Sequence, residues 1–165
     1  MKKFIIVFTL FITSFSFSQN EIKLDVADAL VIRSLEVSYE KYTSDNSSFG
    51  VSALFNLAKQ DVSFRYNENL MITPFYRHYF TTEAHWNFFG EGFLGINSGK
   101  EESVNGSGNY DVKYTDGALG LAVGLKYVST SGLVIDVHAG IGRNLFGSDS
   151  PVLVPRLGVN VGWRL

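Results

Sequence analysis

Polar and apolar positions alternate with a period of two over most of this chain. At that spacing successive side chains of a strand point to opposite faces. From Pro155 the alternation is strict: Leu157, Val159, Val161, Trp163 and Leu165 form one set, and Arg156, Gly158, Asn160, Gly162 and Arg164 the other. The same pattern predicts strands at about 21–31, 33–43, 48–58, 69–80, 85–97, 113–128, 132–143 and 154–165. The first has the weakest signal, because after Ile22, Leu24 and Val26 the residues 27–32 could run on into the next strand. Connections at 44–47, 81–84 and 129–131 are short, and those at 58–68, 98–112 and 144–153 are longer and polar. Short and long connections in alternation predict an all-β, up-and-down antiparallel transmembrane barrel. With both termini on the short-turn side, the strand total must be even, and eight follows.

Two faces emerge. One carries Leu35, Val37, Val51, Phe55, Phe88, Leu94, Ile96, Leu119, Leu121, Val123, Leu125, Ile135, Val137 and Ile141. The other carries Glu36, Ser38, Glu40, Ser52, Asn56, Arg77, Asn87, Glu91, Asp116, Lys126, Asp136, His138 and Arg156. A soluble ligand-binding barrel would turn the apolar set inward; a membrane barrel turns it to lipid and the polar set to the lumen. Aromatic positions favour the second arrangement. Tyr39, Phe49, Tyr76, Phe80, Trp86, Tyr127 and Trp163 all fall on the apolar face within a few residues of a short turn or the C-terminus. They are expected to form one interfacial girdle, where amphipathic rings suit the headgroup layer.

The inward face pairs large or charged groups (Glu36, Glu40, Phe75, Arg77, Tyr79, Glu91, Phe93) on early strands with glycines such as Gly120, Gly124, Gly140, Gly142 and Gly158 on later ones. An eight-stranded barrel has room for little more than side chains. The expectation is a plugged lumen with a polar network of Glu36, Glu40, Arg77, Glu91, Lys126, Asp136, His138 and Arg156, in which Arg77 bonds Glu40 or Glu91. Pro74 cannot donate to a ladder, so a bulge there, with a change of phase before Phe75, is expected.

The N-terminus changes the picture of location. Met1-Lys2-Lys3 precedes an apolar run at 4–12 that is too short to span a bilayer as a helix, and Ser16-Phe17-Ser18 offers small residues for cleavage after Ser18. Residues 1–18 thus read as a signal peptide and 19–165 as the barrel. The chain has no cysteine, which removes a lipoprotein signal and any need for disulfides. A formal net charge of −2 gives no reason to expect nucleic acid as a partner.

Candidate chemistry is sparse. Asp136 and His138 share a face with inward serines, so a hydrolase can be imagined, but no nucleophile motif accompanies them and a polar network explains them more simply. Carboxylate pairs among Glu36, Glu40 and Glu91 fall to the same explanation. No His/Cys cluster suggests a metal, and Glu101, Glu102, Asn105, Asn109 and Asp111 lack EF-hand spacing. Gly140-Ile141-Gly142 lies inside a strand rather than before a helix, so it is no nucleotide fingerprint. No cofactor and no catalytic residue is expected.

The closing strand is similar to the C-terminal assembly strand of bacterial outer-membrane barrels, although those usually end in Phe where this chain has Leu165. More broadly, the segments Leu35-Glu36-Val37-Ser38-Tyr39-Glu40, Ile72-Thr73-Pro74-Phe75-Tyr76-Arg77-His78-Tyr79-Phe80 and Gly90-Glu91-Gly92-Phe93 resemble a family of small outer-membrane β-barrels of the Bacteroidota. Phe17-Ser18-Gln19 is similar to export signals of that group. The resemblance implies a barrel of the OmpA/OmpX type in the outer membrane and no reaction. The partners that follow are outer-membrane lipid, lipopolysaccharide and the assembly machinery, with an unnamed surface ligand at the external loops. Two other functions compete: a barrel that binds or transports small apolar molecules through a lateral opening, against which the polar lumen argues, and a soluble periplasmic lipid-binding barrel with reversed faces.

Overall fold

The computed structural model describes residues 19–57, 68–82, 86–105, 108–147 and 150–165; the expected signal peptide lies outside these. Eight strands run β1 Asn20–Asp25, β2 Ser34–Ser44, β3 Ser47–Asn56, β4 Glu68–Tyr79, β5 Trp86–Asn105, β6 Gly108–Val128, β7 Leu133–Asn144 and β8 Leu153–Arg164. Each pairs antiparallel with the next, and β1 pairs with β8 to close the barrel. The alternation in sequence becomes an inside and an outside. Leu121 is 72% exposed and Leu157 62%, whereas Glu40 and Lys126 are fully buried. An apolar outer wall around a charged interior is the transmembrane arrangement, since lipid solvates the first and excludes the second.

Three elements differ from the sequence expectation. β1 stops at Asp25 instead of near residue 31, and a single wide helical turn, Asp28–Ile32, leads through Arg33 (φ 53°) into β2. In β1 the side chains of Ile22 and Leu24 point outward, so a longer strand in the same phase would aim Asp28 at lipid. The turn avoids this, and the Asp28 N–H donates to Asp25 Oδ1 at 2.9 Å.

The segment 98–112, expected as a loop, is mostly strand. The β5–β6 ladder continues to Asn105↔Gly108, although β4 pairs with β5 only as far as Gly99 and β7 with β6 only as far as Ala118. Beyond those limits the hairpin is two-stranded. Its residues are mostly polar or glycine, so no sustained hydrophobic alternation marks it.

Pro74 causes no bulge. The β4–β5 register is the same at Ile72↔Ile96 and at Phe75↔Phe93, with no pairing recorded between them, and the register shift lies at Glu68/Leu70. Pro74 still sits opposite Val51 of β3. The missing N–H is absorbed by a local gap in one ladder, and the inside–outside phase runs through it unbroken.

The glycines work differently from a wall of large groups facing a wall of small ones. Phe93 lies over Gly120, its cross-strand partner, and over Gly142 beyond it; Phe89 covers Gly124, and Phe75 covers Gly50 on β3. Each ring reaches over a glycine of the neighbouring strand. At the β6–β7 turn Gly132 adopts φ 92°, donates its N–H to Ser129 O at 3.0 Å, and leaves room for the Trp163 ring.

Candidate functional site

The site is the barrel interior, and its geometry follows from strand order. Glu40 on β2 is the node. Its Oε2 accepts from Lys23 Nζ of β1 (2.5 Å), Lys126 Nζ of β6 (2.7 Å) and Arg77 Nη1 of β4 (3.2 Å). Its Oε1 accepts from the hydroxyls of Ser48 (2.6 Å) and Tyr79 (2.5 Å). A buried carboxylate needs its charge and its lone pairs satisfied, and here both are.

From that node the ion pairs form one continuous chain. Arg164 meets Glu21, which meets Lys126, Glu40, Lys23, Asp136, Arg77, Glu91, Arg156 and Glu36 in turn. Five carboxylates alternate with five cations, so the chain is electrically balanced. Arg77 shows why an arginine stands there: Nε reaches Glu91 at 2.6 Å while Nη1 reaches Asp136 at 2.6 Å. Its guanidinium carbon lies 4.8 Å from the Phe75 ring centre and 4.2 Å from that of Phe89. Lys126 Nζ lies beside the stacked rings of Tyr42 and Tyr79, 5.2 Å from one ring centre and 5.1 Å from the other. Cation–π contacts of this kind gain strength where water is excluded.

His138 stands beside the chain, its Nδ1 3.3 Å from Asp136 Oδ1 and 3.4 Å from Asn160 Nδ2. The other oxygen of Asp136 is held by Lys23 and Arg77. That carboxylate is committed to cations, and the pair has the surroundings of a packed network rather than of a charge-poised base. Among the described residues no three His, Cys, Asp or Glu side chains converge as a metal site.

Above the ionic layer, toward the long connections, lies an apolar one: Leu54, Met71, Phe75, Phe93, Ala118 and Val154, all buried. Higher still Asn97 bonds Asn144 at 2.8 Å. Asp116 gathers the chain after β7, accepting from the N–H groups of Phe146 (2.9 Å) and Gly147 (2.8 Å) and from the Ser150 hydroxyl.

All eight residues named from sequence for the lumen lie inside and in this network. The sequence reading missed Glu21, Lys23, Asp25, Tyr42 and Arg164. The signal was present, because Glu21, Lys23 and Asp25 alternate with outward Ile22 and Leu24; the weak strand assignment hid it. The apolar layer was also missed, since its members come from five strands and form no run. Outside, Phe49 packs on Tyr76 (4.9 Å between ring centres) and Trp86 on Tyr127 (5.3 Å). Phe80, Trp163 and the half-buried Tyr39 face outward at the same short-turn end. The side chains of 101–111, including the acidic residues considered for calcium, lie outside the described set.

No family model matches the chain, and no curated protein matches it by sequence. Solved structures do match by shape. The N-terminal β-barrel domain of Pseudomonas aeruginosa OprF is similar with a TM-score of 0.61 at 13% identity, over 90% of this chain and 96% of that one. Neisserial surface protein A (NspA) is similar with a TM-score of 0.59 at 14% identity, over 90% and 96%. The outer membrane protein Ail of Yersinia pestis in a phospholipid nanodisc gives 0.50 at 14% identity, over 90% and 99%. At such identities the likeness is one of fold, and the fold shared with these proteins is the small eight-stranded membrane β-barrel.

Proposed function

We propose that this chain is a non-enzymatic integral protein of the bacterial outer membrane, a barrel with an ion-paired plug and a surface-interaction role at its outer end. One observation carries the plug. Glu40 and Lys126 stand on opposite walls and bond directly, with Lys23, Arg77 and Asp136 filling the same level. Ions would have to break several buried pairs to pass. A planar-bilayer recording of the purified protein should show no stable large conductance; steady open-pore currents would overturn the plug.

The outer membrane follows from the apolar wall, the short-turn aromatics and the fold shared with OprF, NspA and Ail. The interfacial role of Tyr39, Phe49, Tyr76, Phe80, Trp86, Tyr127 and Trp163, the signal peptide at 1–18, and insertion by the assembly machinery beside lipopolysaccharide belong to the same reading. A heat-shift gel on envelope fractions tests it: the folded barrel should stay in the outer membrane and change mobility on boiling. Recovery from the soluble periplasm with no shift would favour the reversed, lipid-binding barrel. The interaction role rests on the β5–β6 hairpin, which rises past both neighbouring strands. Deleting its tip should remove surface binding while leaving the heat shift intact.

A further inference from the structure

The wall is not paired all the way round. On the β1 side, β8 pairs only from Arg164 to Asn160, where β1 ends at Asp25. β2 likewise loses its β1 partner beyond Val37. Over 153–159 β8 therefore has no strand partner on that side, and the turn Asp28–Ile32 that follows β1 packs on β2. Pro155 falls in the phase whose N–H groups face β1, as the bond from Leu165 N–H to Asn20 O shows, so the free edge carries a residue that has no N–H to leave bare. At roughly 2.5 Å of climb per tilted residue, the seam occupies the half of the bilayer away from the short turns.

One side chain bridges the seam at its lower end. Asp25 Oδ1 accepts from the Asp28 N–H at 2.9 Å and, at 3.4 Å, from the Val159 N–H of β8. Its Oδ2 is buried with no hydrogen-bond partner. Outside the seam Leu30 and Val31 are exposed to lipid, at 82% and 71%. Directly behind it Val154, on the free edge itself, belongs to the apolar layer with Met71, Phe75 and Phe93.

We propose that this seam is a lateral portal through which one acyl chain from the outer half of the bilayer enters the apolar layer, with Asp25 as its latch. This rests on the membrane reading above. The occupant is set by chemistry. A polar solute would lose its water against Leu, Met and Phe side chains with nothing in return, while an acyl chain exchanges one apolar surface for another. Met71 has the flexibility to make way. The floor is ionic, with Arg156 bonding Glu91 and lying 5.3 Å from the Phe93 ring centre, so the site is a dead end and the plug stays closed.

The cysteine-free chain makes the test direct. Val154→Cys reports the layer behind the seam, and Val134→Cys, equally buried but flanked by paired β6 and β8, reports an intact wall. Folded protein in phospholipid vesicles is treated with N-dodecylmaleimide dissolved in the lipid, and separately with a charged, water-soluble maleimide. The lipid-dissolved reagent should label Val154→Cys roughly tenfold faster than Val134→Cys, and adding Asp25→Ala should raise that rate further without helping the soluble reagent. Equal, slow labelling at both positions would overturn the portal. Labelling of Val154→Cys mainly by the soluble reagent would overturn it too, because entry would then be through the outer mouth. Heat-shift mobility is scored first: loss of the shift in the cysteine variants and in the unsubstituted protein alike would overturn the membrane reading and the portal with it.

Discussion

Glu40 of β2 and Lys126 of β6 bond at 2.7 Å although they stand four strands apart in a ring of eight, so this ion pair spans the full width of the lumen. Separation in sequence is large and separation in the closed sheet is maximal. A contact of this kind forms only once the barrel has closed, and it couples opposite walls.

Removing Glu40 should therefore be costly. Glu40→Gln leaves Lys23, Lys126 and Arg77 crowded around a neutral amide, and breaking a buried pair from one side costs about 3–5 kcal/mol. Urea unfolding in detergent micelles, followed by the heat-shift gel, should show that loss. A double-mutant cycle with Lys126→Met separates the pair's coupling from the stranded charge. A coupling energy near zero would mean that the contact across the lumen adds nothing.

Arg77→Lys tests shape at constant charge. An ammonium is a point charge and cannot reach Glu91 and Asp136 in two directions while keeping a planar face to the Phe75 and Phe89 rings, as a guanidinium can. The substitution should destabilise by about 1–3 kcal/mol, the scale for a lost charge-assisted bond. Stability equal to the unsubstituted protein would show that charge alone is needed at this place.

The ring-over-glycine contacts predict a contrast between two glycines. At Gly124 an added Cβ would overlap the Phe89 ring and the Val137 carbonyl, whereas at Gly92 it would touch only Leu121 Cδ2 at 3.9 Å. Gly124→Ala should cost about 1–3 kcal/mol from overpacking. Gly92→Ala should stay within about 1 kcal/mol of the parent or gain slightly, because it restricts the unfolded chain. Equal effects at the two sites, by the same unfolding assay, would remove the steric account.

The face assignment was legible because membrane and lumen impose opposite polarity on alternate residues, and residues such as Leu121 and Lys126 carry that signal individually. Strand count followed from the connection lengths. Three things were not legible, for separate reasons. The β5–β6 extension is a backbone-paired run of mostly polar and glycine residues, so periodicity is silent about Lys100 or Lys113. The end of β1 is set by one residue, Asp28, whose outward phase is fatal to a strand only because the outside is lipid. The apolar layer is a property of the closed ring: Leu54, Phe93 and Val154 meet through curvature, with nothing local to announce it. Residues that act along a strand can be read from a strand, and those that act across the lumen need the ring.

The chain contains only two tryptophans, and both lie outward at the short-turn end. Trp86 packs on Tyr127, and Trp163 lies over Gly132 at the β6–β7 turn. Intrinsic fluorescence thus reports one height in the bilayer without any labelling. If these rings sit at the headgroup boundary, lipids brominated near the glycerol backbone should quench them more strongly than lipids brominated near the chain ends. Single variants Trp86→Phe and Trp163→Phe should each keep that order, because the remaining indole is at the same level. Strongest quenching by the deepest bromines would place the aromatics inside the hydrocarbon and break the girdle reading. Uniformly weak quenching, with the emission of a buried indole, would mean that the apolar face does not meet lipid, which is the outcome a reversed, soluble barrel requires.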